Sequence, residues 1–310
     1  MDKCGWTLTL AALALFGACS DGTAHVSHDA GDAAVEVNVS PDIAVDSAAD
    51  ADLPQSATAW TATTAGTVPV SMWYSQGIAK IEGGWVFSHA GGLFRTDDAF
   101  VEQLKHPLPL PAALTELNFI HIGDIDAWGD TIWAGLEQTD YGKNQQAVAW
   151  FDRKTLTVQG YQLLAQHQCS WLSVDPGPAL AYTMDQFSDD AVLIYDAKTP
   201  GQWQLKTTLK LDRKVDKVQG GDVAQGALWL STDDAEHGLY RVDLAGGATV
   251  RLGSLGHLNG KALAIPEGEG IDATLLNGAL LHTLTGEPLK ITSWVDHFVV
   301  TAPGDKLPVP

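Results

Sequence analysis

The stretch that decides the fold runs from residue 218 to residue 231 and reads Val-Gln-Gly-Gly-Asp-Val-Ala-Gln-Gly-Ala-Leu-Trp-Leu-Ser. The pair Gln225-Gly226 separates two short segments that are rich in apolar residues. Short apolar runs on both sides of a glycine-containing turn are typical of two antiparallel strands joined by a hairpin. We therefore expect a strand, a tight turn and a second strand in this stretch.

The same pattern recurs along the chain. The turn pairs are Gly83-Gly84, Gly129-Asp130, Pro176-Gly177, Gln225-Gly226 and Asn277-Gly278. Their first residues lie 46, 47, 49 and 52 positions apart, and a large apolar residue follows three positions after each pair. A third apolar segment and a weaker fourth one complete each unit. Four short strands every ~40–50 residues are typical of a β-propeller, in which each sheet packs against its neighbours.

The pattern predicts an all-β fold, a β-propeller of five four-stranded blades over residues 58–310. The last unit has only about three strands, so we expect Ala59–Val70 to supply the missing strand and close the ring. The alternative is a six-bladed ring, which would require degenerate strands within residues 98–120. Among the longer segments, only Asp98–Lys105 shows a helical period.

The N-terminus has the pattern of an export signal. An apolar run from Trp6 to Phe16 is too short to span a bilayer but suits a signal peptide. The following Leu15-Phe16-Gly17-Ala18-Cys19 resembles a bacterial lipobox, although Phe16 stands where leucine is usual. The resemblance implies that residues 1–18 are removed and that Cys19 carries a lipid, which makes the membrane a partner. Ser20 after the cysteine is similar to the pattern of outer-membrane lipoproteins. The alternative is an ordinary secretory signal with an incidental cysteine.

Residues 19–57 are predicted to be the lipidated cysteine followed by a disordered acidic linker. Ser20–Gln55 contains no Lys or Arg and no aromatic residue, but it has eight acidic residues. Such a composition cannot bury enough apolar surface to offset the entropy of ordering the chain.

The overall charge excludes some classes of partner. The chain has 18 Lys+Arg against 38 Asp+Glu, a formal charge of −20. A nucleic-acid-binding protein needs clustered cations, and a polybasic membrane-surface protein needs the same. We therefore expect no nucleic-acid partner. The 3 Cys residues are too few for a disulfide framework.

The candidate ligand site follows from the repeat. In a propeller, the first strand of each blade lines the central channel, and polar residues flank the small residue that begins this strand. These residues are Gln76, His121, Asp124, Gln219 and Glu269. We expect them to converge at the channel mouth as a ligand site. The alternative is that they are solvated and that the glycines serve close packing near the axis. Oxygen ligands would suit Ca²⁺ and imidazole a transition metal, so the identity of any cofactor stays open.

Over residues 58–302 the repeat resembles the YVTN-like and quinoprotein-dehydrogenase-like propellers of secreted bacterial proteins. Gly-His occurs once, at Gly256-His257, and Trp-Asp does not occur, so these marks of Trp-Asp repeat proteins do not recur with the repeat. The sequence also contains no Tyr-Val-Thr-Asn. No nucleophile elbow, phosphate loop or zinc-protease motif is present in the sequence. We therefore expect an envelope-anchored, non-catalytic module that binds a small molecule or an envelope protein. The alternative is a metal-assisted, lactonase-like hydrolase in which Asp124 and Glu269 hold an ion and His121 acts as base.

Overall fold

The computed structural model describes residues 59–107, 109–138, 140–185, 189–255, 267–276, 280–286 and 292–304. Within these ranges the strands form five antiparallel sheets of four strands each. The prediction of an all-β propeller with five blades is confirmed. The predicted signal peptide, Cys19 and the predicted linker lie outside the described residues.

Each of the first four blades is formed by four consecutive strands. Strand β1 (Thr61–Val70) precedes them in the chain. The first blade contains β2 (Gly77–Ile81), β3 (Gly84–His89), β4 (Gly92–Thr96) and β5 (Glu102–Pro107). The second contains β6 (Phe119–Trp128), β7 (Thr131–Gln138), β8 (Gln146–Asp152) and β9 (Val158–Leu164). The third contains β10 (Ser173–Asp175), β11 (Leu180–Met184), β12 (Ala191–Asp196) and β13 (Gln204–Lys210). The fourth contains β14 (Val218–Ala224), β15 (Ala227–Thr232), β16 (Gly238–Asp243) and β17 (Thr249–Ser254).

The fifth blade combines strands from both ends of the described chain. It contains β18 (Glu267–Asp272), β19 (Leu280–Gly286) and β20 (Ser293–Thr301), and β1 pairs with β20 as its outer strand. The pairing runs from Thr61 opposite Thr301 to Val70 opposite Ser293. The segment predicted to close the ring therefore does so.

The first strands β2, β6, β10, β14 and β18 contact one another around the axis. The core lies between the blades, where large side chains such as Trp171, Trp229 and Phe151 are fully buried. This packing holds the first strands on a rigid frame, and the starts of these strands carry the predicted site.

The helical period noted at Asp98–Lys105 does not correspond to a helix. The structure has strand β5 from Glu102 onward, and the nearby helix α1 is a single turn, Ala112–Thr115. A short 3₁₀ turn, Tyr141–Lys143, follows β7. Among the described residues, no helix has the length and apolar character required to cross a bilayer.

Candidate functional site

The starts of the first strands define one end of the channel, which we call the first mouth. Strand β2 begins directly after Gln76, and β6 begins two residues before His121. Glu269 is the third residue of β18. Polar residues from the first, second and fifth blades are therefore held near one another by neighbouring strands.

Hydrogen bonds join three of the five predicted residues. Nε2 of Gln76 donates to Oε1 of Glu269 over 3.3 Å, and Nε2 of His121 contacts Oε1 of Gln76. On the other side of the imidazole ring, Nδ1 of His121 lies 2.8 Å from Oε2 of Glu137. The imidazole ring of His121 is thus held between the side chains of Gln76 and Glu137. We call Gln76, His121, Glu137 and Glu269 the mouth cluster.

Glu137 is the member of the cluster that sequence reasoning missed. It lies near the end of β7 and is only 3% exposed. Within the described part of the chain, its Oε1 has no hydrogen-bond partner. His121, by contrast, has a side chain that is 32% exposed. The cluster therefore presents an accessible imidazole in front of a buried carboxylate that retains an unused acceptor.

A regularity in the second strands could have revealed Glu137. The second, third and fourth blades each carry an acidic residue at or next to the end of the second strand, close to a histidine. The pairs, with their nearest nitrogen–oxygen distances, are His121–Glu137 (2.8 Å), His167–Asp185 (3.0 Å) and His237–Asp233 (3.2 Å). Burial, and secondarily the charge of Glu267, raises the pKa of Asp233. This side of the propeller is therefore rich in carboxyl groups with histidine partners.

Asp124, which was expected at the mouth, lies inside the propeller and is 1% exposed. Its Oδ1 accepts hydrogen bonds from the backbone N–H groups of Ile78 (3.2 Å) and Ile125 (2.9 Å). Its Oδ2 accepts from those of Gly221 (3.1 Å) and Ile271 (3.2 Å). Burial raises the pKa of this carboxyl well above its usual value, although the N–H donors act in the opposite direction. Asp124 thus ties together strands of four blades.

The glycines of the repeat serve close packing around Asp124. A Cβ added to Gly77 would lie 2.7 Å from the Cα of Asp124, and one added to Gly270 would lie 2.7 Å from the Cα of Gly77. No real side chain tolerates such approaches without a backbone shift. At Gly77 and Gly270 the structure therefore shows close packing near the axis, the alternative role that the sequence offered for these glycines.

Gln219 is half-buried and lies apart from the contacts of the mouth cluster. It lines a cavity of about 20 Å³ between the third and fourth blades, together with Ser170 and Asp185. The structure thus joins Gln76, His121 and Glu269 by hydrogen bonds, places Asp124 deeper, and places Gln219 to one side.

Catalysis by a cysteine thiol and binding of a metal ion find little support in the described residues. Cys169 is fully buried, and burial raises its pKa to about 12, so its thiol stays protonated near neutral pH. No group of three or more His, Cys, Asp or Glu side chains in the described ranges is arranged to hold a metal ion. His121, Asp124 and Glu269 therefore do not form such a group.

Comparison with known proteins gives likeness in fold. No protein-family model matches the chain, and no curated protein matches it in sequence. The crystal structure of a glutaminyl cyclase from Myxococcus xanthus superposes with a TM-score of 0.60 and 11% sequence identity, covering 78% of this chain and 98% of that chain. A luciferin-regenerating enzyme gives a TM-score of 0.46 at 13% identity, covering 73% of this chain and 79% of that chain. The first likeness supports the five-bladed propeller fold, and the second is too remote to add to it.

Proposed function

We propose that the propeller is a binding module that holds a polar ligand at the mouth cluster. The observation that carries this proposal is the continuous hydrogen-bonded series Glu137–His121–Gln76–Glu269, which spans three blades. Its two ends are carboxyl groups that are 3% and 6% exposed. Side chains fixed in this way by strands and by each other are suited to recognising a ligand, because little freedom is lost on binding.

Exposed apolar side chains flank the mouth cluster in the sequence. Met72 and Trp73, 40% and 53% exposed, precede Gln76, and Ile120, 45% exposed, precedes His121. A few oriented polar groups beside accessible apolar surface are typical of binding sites. The expected ligand therefore combines a hydrogen-bonding head group with an apolar part, as a short peptide or an amino-acid derivative does.

A panel of amino-acid amides and dipeptides tests this proposal. Binding to the folded state raises the melting temperature of the full-length protein. We expect at least one member at millimolar concentration to raise it, and we expect Glu269→Gln to reduce the shift because the carboxylate that accepts from Gln76 is lost. The matched control is Glu116→Gln, on the exposed segment after α1. An absence of any shift across the panel, or equal shifts in both variants, would contradict the proposal.

A second candidate function is acid–base catalysis by His121, in line with the enzyme alternative drawn from the sequence. The specific observation is that a buried carboxylate fixes Nδ1 of His121, an arrangement that orients catalytic histidines. Because one structural neighbour is a glutaminyl cyclase, a peptide with N-terminal glutamine is the first substrate to assay, by mass spectrometry. Turnover that is lost in His121→Gln would favour the enzyme over the binding module. Turnover supported only with added Ca²⁺ would favour the metal-assisted form.

We also propose that the protein is a lipoprotein of the bacterial cell envelope, anchored through Cys19 and delivered to the outer membrane. The support is the lipobox-like Leu15–Cys19 and the acidic, Lys- and Arg-free stretch that follows it. Metabolic labelling with a fatty-acid analogue should mark the protein, and Cys19→Ala should abolish the label. Label retained in that variant would refute the anchor.

A further inference from the structure

The ends of the first strands define a second mouth, which opens into a cavity of about 250 Å³. Along β6, Asp124 lies between Asp126, which lines this cavity, and His121 of the mouth cluster, and its hydrogen bonds reach four blades. The cavity walls include Val174, Val223 and Leu276, and Asp126 and Asp222 supply its carboxyl groups. We propose that this cavity binds a small alkylammonium ion, at a site separate from the mouth cluster.

The first argument is that one hydroxyl group bridges the two carboxyl groups. Oγ of Ser173 lies 3.1 Å from Oδ2 of Asp126 and 2.9 Å from Oδ1 of Asp222. A hydroxyl group has one hydrogen and can donate fully to only one of them. Each carboxyl group also accepts one backbone N–H of the next blade, from Val174 and Ala273 respectively, both at 2.6 Å, and Oδ1 of Asp222 accepts the N–H of Val223 at 2.7 Å. Both carboxyl groups line the cavity and lie within hydrogen-bonding distance of the same hydroxyl group, so a single ammonium group in the cavity can contact both.

The second argument is electrostatic. Burial, followed by the charge of Asp222, raises the pKa of Asp126 to about 7. Burial, followed by the charge of Asp272, raises the pKa of Asp222 to about 7. Asp272, at the end of β18, has its pKa raised to about 6, mainly by burial. Repulsion of this kind is relieved either by protons or by a bound cation, so the two compete for the cavity.

The neighbouring cationic side chains of Lys80 and Arg153 have partners other than Asp126 and Asp222. The ammonium group of Lys80 donates to the carbonyl oxygen of Ile81 at 2.9 Å and lies 2.7 Å from Oδ1 of Asp98. The backbone N–H of Lys80 donates to Oδ2 of Asp272 at 2.7 Å. Arg153, beside the β6–β7 turn, has its guanidinium 3.3 Å from Oδ1 of Asp130. Neither side chain is positioned to neutralise Asp126 and Asp222.

The third argument concerns the chemistry of the walls. Calcium needs about six to eight oxygen ligands, whereas Val174, Val223, Ala273 and Leu276 offer carbon to an occupant. Trp128, which is 51% exposed, lies at the rim and offers an aromatic face to a cation. The volume is below the ~300–1,000 Å³ of drug-sized pockets. A short alkyl chain bearing one ammonium group fits both the carboxyl groups and the walls.

The test compares n-butylammonium with n-butanol, its neutral counterpart, by calorimetric titration of the full-length protein. We expect butylammonium to bind and butanol to bind at least tenfold more weakly. Asp126→Asn should weaken butylammonium at least tenfold, and lowering the pH from 8 to 5.5 should also weaken it, as protons reoccupy the carboxyl groups. Trp128→Ala should weaken it several-fold, and this rim variant keeps the test valid if Asp126→Asn does not fold.

The control variant is Glu269→Gln at the first mouth, which should leave butylammonium affinity unchanged. Equal affinity for butanol and butylammonium, or affinity independent of pH, would overturn the proposal. It would also be overturned if Ca²⁺ bound while butylammonium did not. Loss of binding in Glu269→Gln, with none in Trp128→Ala, would assign the ammonium ion to the mouth cluster instead.

Discussion

The carboxyl group of Asp124 connects the first strands of four blades. It is the shared acceptor for the backbone N–H groups of Ile78, Ile125, Gly221 and Ile271. Leaving a buried donor without a partner costs about 1–3 kcal/mol. Asp124→Ala should therefore lower the free energy of unfolding by at least ~3 kcal/mol, measured by urea denaturation.

The exposed Asp130 provides a control for this prediction, because its side chain is 73% exposed. Asp130→Ala should change the free energy of unfolding by less than ~0.5 kcal/mol. If Asp124→Ala were as mild, the axial carboxyl group would not hold the blades together.

The raised pKa of Asp222 leads us to expect an unusual dependence of the free energy of unfolding on pH. Its pKa is raised to about 7 in the folded state, mainly by burial and secondarily by Asp272. A carboxyl group of this kind stabilises the fold below its unfolded pKa of ~3.9, and this contribution is lost as the pH rises toward the folded value. Relative to the wild type, Asp222→Asn should gain on the order of 2–4 kcal/mol between pH 4 and pH 7.

Urea denaturation of both proteins at several pH values measures this difference directly. The comparison with the asparagine variant is needed because His282 acts in the opposite direction. Burial lowers its pKa to about 4, so it disfavours the folded state as the pH falls from ~6.5 to 4. A stability difference between the two proteins that does not change with pH would show that Asp222 titrates normally.

Single residues also show what the sequence could reveal about the site. The repeat identifies Gln76 and Glu269 because each directly precedes a repeat glycine, and it identifies His121 because it lies two residues before Gly123. The repeat register does not identify Glu137, because this residue lies on β7, a second strand, and the register was read from the first strands only. The sequence identifies Asp124 as a residue near the axis but does not predict its burial. The alternation of side chains along a strand gives the direction of a side chain and not its distance from solvent.

At the level of the element, the beginning of β2 must be glycine for steric reasons. A Cβ on Gly77 would lie 2.6 Å from Oγ of Ser88 and 2.8 Å from the backbone nitrogen of Ile125. Because one of these atoms belongs to the backbone of another blade, the strand itself would have to move. Gly77→Ala should cost about 1–3 kcal/mol in the free energy of unfolding.

Gly246→Ala is the matched control, because a Cβ there would meet nothing within 4 Å. It should leave the urea midpoint nearly unchanged. Equal effects of the two substitutions would mean that the loss of glycine flexibility in the unfolded chain, and not the crowded axis, determines the result.

Strand β5 shows why inner strands are easier to predict than outer ones. Its burial alternates only weakly, with most of Glu102–Pro107 exposed, because it lies at the outer edge of its blade. Because this strand has no buried face, its sequence shows little alternation of apolar and polar residues. The spacing of residues in 98–105 instead resembles a helical period. The strand forms because β4 offers a free edge, and that information lies outside the segment.

At the scale of the whole molecule, the ring depends on β1. This strand covers β20, which would otherwise be the exposed edge of a three-stranded blade. Deletion of residues 61–70 should lower the urea midpoint markedly and promote association, since an uncovered strand edge pairs with other chains. Size-exclusion chromatography and urea denaturation check both effects.

If the deletion variant remained monomeric and kept the wild-type urea midpoint, pairing with β1 would not be needed to protect the edge of β20. Replacing Gly66, at the irregularity in the β1–β20 register, by alanine is a milder comparison that keeps the strand. Its Cβ would come no nearer than 4.0 Å to His297, so the ring should remain closed.

The pairing of β1 with β20 also sets the order of folding steps during synthesis of the chain. A ribosome releases Thr61 long before its partner Thr301, and the four blades between them can assemble from neighbouring strands as they emerge. The earliest strand must remain unpaired until the last one is made. The Gln76–Glu269 contact joins the first blade to the fifth, so the mouth cluster can be completed only after this late step. A nascent chain that stalls before β18 is made would carry four folded blades but an incomplete mouth cluster.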